Sequence, residues 1–241
     1  SLRLILAEGL PNVFARHDRL ARATRAGVQA LGLTLFAAQP GAACTAVKAP
    51  GRTDGGAVVK GGVVVRGSNV RIRGRGILDG SDWPWTKGPT GALLGIEGND
   101  VEVSGITIRG SFGWTIVPRS SRNVTVRGVK ICNSRVQNDD GVNPCNSQDV
   151  LITDCFIRSD DDCVALKGLD FSAADSNVER ITVENSVLWC DRARIFLLGH
   201  ESRAAYMRQV TLRNLDIIHF TMTPFLFEPG EDMRLEDITV E

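Results

Sequence analysis

The chain of 241 residues has little of several features, and each shortage argues against a class of protein. Its formal net charge is zero, with 28 basic and 28 acidic residues, so nothing favours nucleic acid or an anionic membrane as a partner. No apolar run approaches the roughly 20 residues that span a bilayer. Six cysteines, none in a Cys-x-x-Cys pair, are too few for a disulfide scaffold and argue against a zinc site.

Residues 1–60 have the pattern of a small helical or α+β segment. A short helical stretch that Gly9 can end is followed by apolar residues at helical spacing from Val13 to Leu31. Pro11 suits the first turn of this second helix, and Gly32 suits its end. Short strands are predicted at residues 33–37 and 45–48, with loops rich in Pro and Gly between them.

From residue 61 onward a short phrase recurs: two aliphatic residues separated by one position, closed by Gly, Asp or Asn. The copies are residues 70–74, 101–105, 124–128, 150–154, 181–185, 210–214 and 233–237, with starts 23 to 31 residues apart. This period is typical of repeat architectures, and the alternation within each copy predicts a strand. The closing residue suits a tight bend.

One strand-bearing coil per repeat, stacked on the next, forms a solenoid. We therefore predict an all-β fold, a right-handed parallel β-helix of about seven coils over residues 61–241, with function in the loops on one side. A seven-stranded β-sandwich would need hairpin turns such as Asn-Gly, which the connections lack. Glu241 falls just inside the seventh coil, so we expect a fragment truncated at its C-terminal end.

Acidic residues are densest in two consecutive coils. Asp140 lies in Asn-Asp-Asp-Gly (138–141), and Asp161 and Asp162 lie in Asp-Asp-Asp-Cys (160–163), 21 residues later. Stacked strands ~4.8 Å apart would bring these carboxylates together, so repulsion would raise at least one pKa. A protonated acid beside an ionised base is what glycosidic cleavage needs. Structural capping or a calcium site remains an alternative, and a bend must redirect one of the two adjacent aspartates if both reach a cleft.

Residues 61–241 resemble the polygalacturonase-like glycoside hydrolases of family 28. The resemblance rests on "GRGILDG" (74–80), on "NDDGVNPCNSQDVLITDCFIRSDDDCVALKG" (138–168) and on the recurring phrase. It implies an inverting glycosidase acting on a pectin-like or other cell-wall polysaccharide, with Asp161 as general acid and Asp140 and Asp162 holding and activating water. The carboxyl groups of inverting enzymes lie roughly 6.5–9.5 Å apart. We expect a monomer that needs no metal ion or other cofactor.

The residues predicted to bind substrate are Asn138, Lys167, Arg192, Arg194 and His200. Arg194 stands where the family has a histidine, and residues 225–227 stand where it has an Arg-Ile-Lys motif that holds a uronate. A uronate pocket needs cations, which Lys167, Arg192 or Arg194 would supply; otherwise the sugar is a different, neutral one. His200 falls six residues after the histidine position, which favours a turn or cleft-edge role.

The resemblance also implies a disulfide between Cys163 and Cys190. Such a bond fits an oxidising setting, so a secreted or periplasmic location is expected. Two buried free thiols are the alternative.

Aromatic and acidic residues in other loops are further candidates. Trp83, Trp85 and Trp114 could stack on sugar rings or pack on the solenoid wall, and the loop at 83–85 has the better claim to the sugar. Glu228 and Glu231 flank a Pro-Gly pair and either line the cleft or face solvent. The remaining histidines, His17 and His219, are expected to be structural.

Residues 1–60 resemble a different family, the C-terminal region of class V aminotransferases of the alanine- or serine-glyoxylate kind. The matching text is "LRLILAEGLPNVFARHDRLARATRAGVQALGL" (2–33). The cofactor lysine of that family lies upstream of this region in its members, so no transaminase activity is implied. Two interpretations are open: a helical cap over exposed strand edges, or a chain that joins two unrelated pieces near residues 60–61.

Two rival functions are compatible with a solenoid. A polysaccharide lyase needs calcium and a basic residue near the scissile bond, here Arg194 or Lys167, and makes an unsaturated product that absorbs at 235 nm. A non-catalytic glycan-binding solenoid would bind sugars without turnover.

Overall fold

The computed structural model describes residues 8–30, 34–35, 47–48, 62–81, 83–85, 91–133, 136–169, 176–230 and 232–241. Near the N-terminus, helix α1 (Leu10–Ala30) follows Gly9, which has a φ of 80°. The Gly9 carbonyl accepts the N–H groups of Asn12 and Val13, each at 3.1 Å, and so starts the helix. Within the ranges given, no helix is both long and apolar enough to cross a membrane.

Two short strands follow the helix, β1 (Thr34–Leu35) and β2 (Val47–Lys48), which pair antiparallel. The helix and both strands fall where the sequence predicts them. The predicted segment before Gly9 and the predicted helix stop at Gly32 lie largely outside the described residues.

All remaining described strands pair in parallel and form a β-solenoid, which confirms the predicted parallel β-helix. It has about six turns, where about seven coils were predicted. They are β3 (Val63–Arg66), β4 (Arg71–Arg73), β5 (Ile77–Asp79), β6 (Leu94–Glu97), β7 (Asn99–Ser104), β8 (Thr107–Arg109), β9 (Ile116–Pro118), β10 (Arg122–Arg127), β11 (Lys130–Cys132), β12 (Gln148–Thr153), β13 (Phe156–Ser159), β14 (Val164–Leu166), β15 (Val178–Cys190), β16 (Phe196–Gly199), β17 (Tyr206–His219), β18 (Phe225–Glu228) and β19 (Arg234–Val240).

The strands stack in three rows. One row is β4, β7, β10 and β12, a second is β5, β8, β11 and β13, and the long strand β15 pairs with the ends of both. The third row is β3, β6 and β9 followed by β14, β16 and β18. Single bridges through Val142 and Cys145 connect the two halves of this third row, and so the turn before Val142 is stacked into the solenoid.

The recurring phrase fills the core because its alternate side chains point inward. Val101, Val124, Val150, Ile181 and Val210 are partners in successive strands, and all are buried. The closing positions bend as predicted, with positive φ at Gly105, Gly128, Asp154, Asn185 and Asn214. Glycine and short polar side chains are the residues that tolerate this conformation.

The register of the last repeat corrects the prediction. Ile238, not Met233, is the partner of Val210, so the seventh copy begins five residues later than predicted. Apolar alternation continues on both sides of Asp237, and therefore it cannot fix the register. The backbone does fix it, because Asp237 (φ 54°) takes the left-handed position that Gln209 (φ 55°) has one coil earlier.

Ion pairs between successive coils cover the outside of the solenoid. We call them the outer ion pairs: Arg66 with Glu97, Arg73 with Glu102, Arg109 with Asp79, Arg127 with Asp154, Arg180 with Asp149, Arg208 with Glu179 and Arg213 with Glu184. Like the core residues, their members are contributed by neighbouring coils.

Candidate active site

Asp140, Asp162 and Arg194 occupy equivalent positions in three consecutive coils. Each lies two residues before a member of the bridged series Val142, Val164 and Phe196. The Gly141 N–H donates to the Asp162 carbonyl at 2.9 Å, and the Cys163 N–H donates to the Arg194 carbonyl at 3.0 Å. We call these three residues the buried stack after its two buried aspartates; it places two carboxyl groups and a guanidinium side by side.

A bend between β13 and β14 sends Asp161 and Asp162 in different directions. Residues 160–163 lie between the two strands, and the Ser159 hydroxyl holds the bend by donating to the Asp161 carbonyl at 2.7 Å. Asp162 is 5% exposed, whereas Asp161 is only partly buried and its Oδ1 accepts the Asp162 N–H at 3.0 Å. The bend that the adjacent aspartates require is therefore present.

A surface groove of about 430 Å³ runs beside this bend. It is lined by Gln137, Asn138, Asp160, Asp161, Arg192, Ala193, Arg194 and Met222. The Asn138 amide donates to Asp161 Oδ2 at 3.1 Å, which orients the acid. The structure thus brings four residues predicted for the site into one groove: Asn138, Asp161, Arg192 and Arg194.

Burial changes the acidity of the two aspartates in the stack. It raises the pKa of Asp162 from 3.8 to about 6, with help from the Asp161 charge and against the opposing effect of Arg194 and Lys167. Burial, followed by the charges of Asp161 and Asp162, raises the pKa of Asp140 well above its ordinary value. The predicted rise in pKa is confirmed, although burial contributes more than the repulsion on which the prediction rested.

Three buried side-chain atoms have no hydrogen-bond partner among the residues that the structure describes: Asp140 Oδ1, Asn143 Oδ1 and Arg194 Nε. The other Asp140 oxygen accepts the Asn143 amide at 2.7 Å. An unpaired buried polar group costs roughly 1–3 kcal/mol. Asp140 Oδ1 and Asn143 Oδ1 are therefore suited to accept a hydrogen bond from a water molecule.

Lys167 and His200 are placed differently from the other predicted substrate-binding residues, since neither lines this groove. The Lys167 side chain is buried, its Nζ donates to the His200 carbonyl at 3.2 Å, and its charge opposes the rise in the pKa of Asp140. His200 Nδ1 lies 2.7 Å from Glu228 Oε2, so these two residues form an exposed pair.

The disulfide implied for Cys163 and Cys190 is not formed, because both residues are free thiols in this structure. They are hydrogen-bonded neighbours, and burial, followed by contact with Cys190, raises the pKa of Cys163. Cys190 Sγ also donates to the Asp161 carbonyl at 3.1 Å and accepts the Ala193 N–H at 3.0 Å. The alternative of two buried thiols is the one observed, and these bonds support the bend from below.

The three candidate tryptophans separate into two kinds. Trp83 stacks on Phe112 with ring centroids 5.3 Å apart, and Trp114 is buried against Val117. Trp85 is 45% exposed, and its Nε1 donates to the carbonyl of Gln137 on the groove. Trp83 and Trp114 therefore pack the wall, and Trp85 alone of the three presents its ring to solvent.

The other residues named from the sequence lie away from the stack or outside the described part. His219 Nδ1 lies 2.8 Å from the Cys190 carbonyl, and its ring stacks on Trp189, which agrees with a structural role. Glu231 and the side chain of His17 lie outside the described residues.

Sequence reasoning missed three residues that support the site. Asn143 holds Asp140, as described above. Asp139 is fully buried and accepts the Asp160 N–H at 2.5 Å, and the Asp160 carboxylate pairs with Arg192 at 3.1 Å. Two signals were available in the sequence: the amide of Asn143, three residues after Asp140, and the unbroken run of acids at 160–162. Neither signal indicates which side chains point inward.

Short matches to aminotransferases agree with the resemblance seen at the N-terminus. A serine–glyoxylate aminotransferase of Hyphomicrobium methylovorum is 62% identical over 40 residues, which is 17% of this chain and 10% of that protein. An uncharacterized aminotransferase of Methanocaldococcus jannaschii is 47% identical over 49 residues, or 20% of this chain and 13% of that protein.

Further similarity is to polygalacturonases. A probable polygalacturonase of Vitis vinifera is 34% identical over 111 residues, 44% of this chain, and the match spans only 22% of that protein. A family 28 exopolygalacturonase structure from Yersinia enterocolitica aligns with 63% of this chain and 35% of its own, at 17% identity and a TM-score of 0.38. The model of glycosyl hydrolases family 28 matches residues 63–186, just over half of the sequence. The chain therefore belongs to glycosyl hydrolases family 28.

Proposed function

We propose that the groove hydrolyses a glycosidic bond of a pectin-like polysaccharide or oligosaccharide with inversion of configuration. The single observation that carries this proposal is the buried pair of Asp140 and Asp162, with raised pKa values, beside the groove-facing Asp161. Three carboxyl groups with unequal environments are what separate acid and base roles require.

Asp161 is the general acid in this proposal. Of the three predicted catalytic aspartates it alone lines the groove, and Asn138 and the Asp162 N–H orient its two oxygens. A bound sugar chain would meet this carboxyl first. In the productive protonation state, Asp161 carries the proton and Asp162 is ionised. Asp161 then donates its proton to the leaving glycosidic oxygen as the bond to the anomeric carbon breaks.

Asp162 is the base, and Asp140 holds the attacking water. Above its pKa of about 6, Asp162 is ionised and can take a proton from water. Asp140 keeps its own proton to higher pH than an ordinary aspartate, and its unpartnered Oδ1 offers a hydrogen bond to that water. Arg194 stabilises the ionised base, because its backbone N–H donates to Asp162 Oδ1 at 3.1 Å and its guanidinium lies 3.7 Å away.

Two guanidinium groups on the groove favour an acidic sugar as substrate. Arg192 and Arg194 both line it, and guanidinium is well suited to bind a carboxylate. Residues 225–227 form part of β18 and supply no cation.

The proposal also includes a monomeric state, the absence of a cofactor, and a secreted or periplasmic location, where such polysaccharides occur.

A glycan-library screen with wild type and Asp161→Asn side by side tests the proposal. We expect wild type to release reducing sugar from at least one pectin-like glycan, and the variant to lose at least about 100-fold of this rate. Asp149→Asn, on the outer ion pairs, is the matched control that keeps its activity. NMR of the first product should show the inverted anomer.

Each other outcome of the screen contradicts a defined part of the proposal. Equal rates for wild type and Asp161→Asn would refute the assignment of Asp161. A product that absorbs at 235 nm would identify a lyase, and glycan binding by wild type without turnover would identify a non-catalytic solenoid.

A further inference from the structure

Trp85 is a large exposed aromatic side chain fixed beside the groove. Its ring nitrogen donates to the Gln137 carbonyl, and Gln137 and Asn138 line the groove next to Asp161. Gln137 belongs to the coil directly before that of Asp161, about 4.8 Å away along the solenoid axis. An oligosaccharide held at Asp161 can therefore extend towards the indole.

The turn that carries Trp85 is held by its own hydrogen bonds. Asp79 Oδ1 accepts the Ser81 N–H at 2.9 Å, and the Gly80 carbonyl accepts the Trp83 N–H at 3.0 Å. Trp83 then stacks on buried Phe112, with planes 17° apart. Trp83 therefore packs into the solenoid wall and holds the turn, whereas Trp85, two residues later, remains at the surface.

The hydrogen bond that holds the Trp85 indole lowers the entropy cost of binding a ligand to it. Immobilising a side chain on binding costs roughly 0.5–1.5 kcal/mol, and a ring that is already held avoids much of this cost. Its nitrogen is occupied by Gln137, so the exposed part that remains for a ligand is mainly apolar ring surface. Ring faces of this kind pack against the C–H faces of sugars, whereas the polar groups in the groove bind hydroxyl and carboxyl groups.

We propose that Trp85 is the stacking platform of a sugar-binding subsite at the N-terminal rim of the groove. The subsite holds a ring of the same chain whose bond is cleaved at Asp161, so it rests on the proposed function. Met222, which is also exposed, lines the groove in the coil after Arg194 and gives the opposite rim an apolar surface as well. The proposed occupant is thus a sugar chain long enough to reach from Asp161 to Trp85.

The test is the dependence of turnover on chain length. Wild type, Trp85→Phe and Trp85→Ala are compared on an oligogalacturonide series from dimer to hexamer. We expect Trp85→Ala to lose about tenfold in kcat/KM on the longest oligomers, mainly through KM, and to match wild type on the shortest. Trp85→Phe should lie between them. Phe14→Ala, an exposed aromatic of α1, is the matched control and should equal wild type at every length.

Binding gives a second readout that does not depend on turnover. In an Asp161→Asn background, titration with the hexamer should shift the tryptophan fluorescence, and Trp85→Phe should remove most of that shift. The subsite would be overturned if Trp85→Ala lost the same factor in kcat/KM at every chain length. It would also be overturned if Trp85→Phe left the affinity of the Asp161→Asn variant for the hexamer unchanged. If Asp161→Asn binds the hexamer through Trp85 although wild type does not cleave it, the proposed function fails and the subsite stands; if the hexamer does not bind at all, the subsite fails.

Discussion

The outer ion pairs and the buried stack contain the same residue types, but the pKa of Asp149 on the outside and the pKa of Asp162 in the stack move in opposite directions. On the outside, Asp149 receives two hydrogen bonds from Arg180, at 2.5 and 3.0 Å, and its pKa is lowered. Inside, burial raises the pKa of Asp162 to about 6, although Arg194 stands in the next coil. Both pairs are built by coil stacking, and hence stacking alone does not decide the protonation state.

Solvent exposure and hydrogen-bond geometry therefore decide which acids of this solenoid keep a proton near neutral pH. Outside, water and a directly bonded guanidinium stabilise the charged form. In the stack, burial disfavours the charged form, and the guanidinium of Arg194 is 3.7 Å away, so its charge offsets only part of this burial cost. Acids with raised pKa values next to a groove are candidates for proton transfer, and those on the outer wall are not.

The largest expected effect is the loss of activity in Asp162→Asn. Without an ionised base at this position, we expect kcat to fall by about 10²–10⁴-fold, measured as release of reducing sugar from the glycan found in the screen. A far-UV spectrum that matches wild type would show that the fold is intact. Retention of more than a tenth of the activity would show that Asp162 is not the catalytic base. The buried stack would then not differ from the outer ion pairs in function.

The same substitution should stabilise the fold at neutral pH. Because the pKa of Asp162 is 3.8 when ordinary and about 6 when folded, the folded chain binds the extra proton and its free energy of unfolding falls as pH rises across that window. Removing this carboxylate should therefore raise the free energy of unfolding by up to about 2–3 kcal/mol at pH 8 and leave it unchanged at pH 3. Urea unfolding of wild type and Asp162→Asn at both pH values measures this, and a destabilised variant at pH 8 would contradict it.

The cation of the stack should set the acidic limb of the pH–rate profile. With Asp162 as base, kcat/KM of wild type rises with pH through about 6. Arg194→Met removes a charge that lowers this pKa, so the limb should move up by about one pH unit and activity at pH 6 should fall about fivefold. Arg194→Lys should keep most of the wild-type profile. A limb that falls through pH 6 in wild type would instead make Asp162 the acid.

The smallest effect is expected on the outer wall. Asp149→Asn breaks an exposed ion pair, and we expect a loss of only about 0.5 kcal/mol at pH 7, measured by urea unfolding. Because the pKa of Asp149 is lowered in the fold, this contribution is present at neutral pH and is lost as the solution becomes acidic, opposite to Asp162. If Asp149→Asn lowered the free energy of unfolding by more than 2 kcal/mol, the outer ion pairs would not differ from the buried stack in the way described.

Much of the fold follows from a local rule. Alternate aliphatic residues pack into a coil, and a closing Gly, Asp or Asn turns the chain, which is why Val70, Val101, Val124, Val150, Ile181 and Val210 are stacked as predicted. The rule failed at Met233, where alternation continues through the bend at Asp237. The register there depends on backbone pairing with the preceding coil, which no single repeat encodes.

The candidate site was predictable as a set of residues but not as an arrangement. Spacing and resemblance pointed to Asp140, Asp161 and Asp162, and also to Arg194. They did not show that Lys167 and His200 lie off the groove, or that Cys163 and Cys190 are free thiols. Those outcomes depend on side-chain direction and on contacts between coils.

The solenoid and the position of its acidic cluster follow from the amino-acid sequence, because period-two patterning and a repeat length act locally along the chain. Which aspartate faces the groove, and which two are buried, follows instead from the packing of the coils. That choice is made by the bend at residues 160–163, held by Ser159 and Cys190, and by the stacking of Asp140, Asp162 and Arg194. Burial then shifts the pKa values, and burial is a property of the packed coils, not of any one residue.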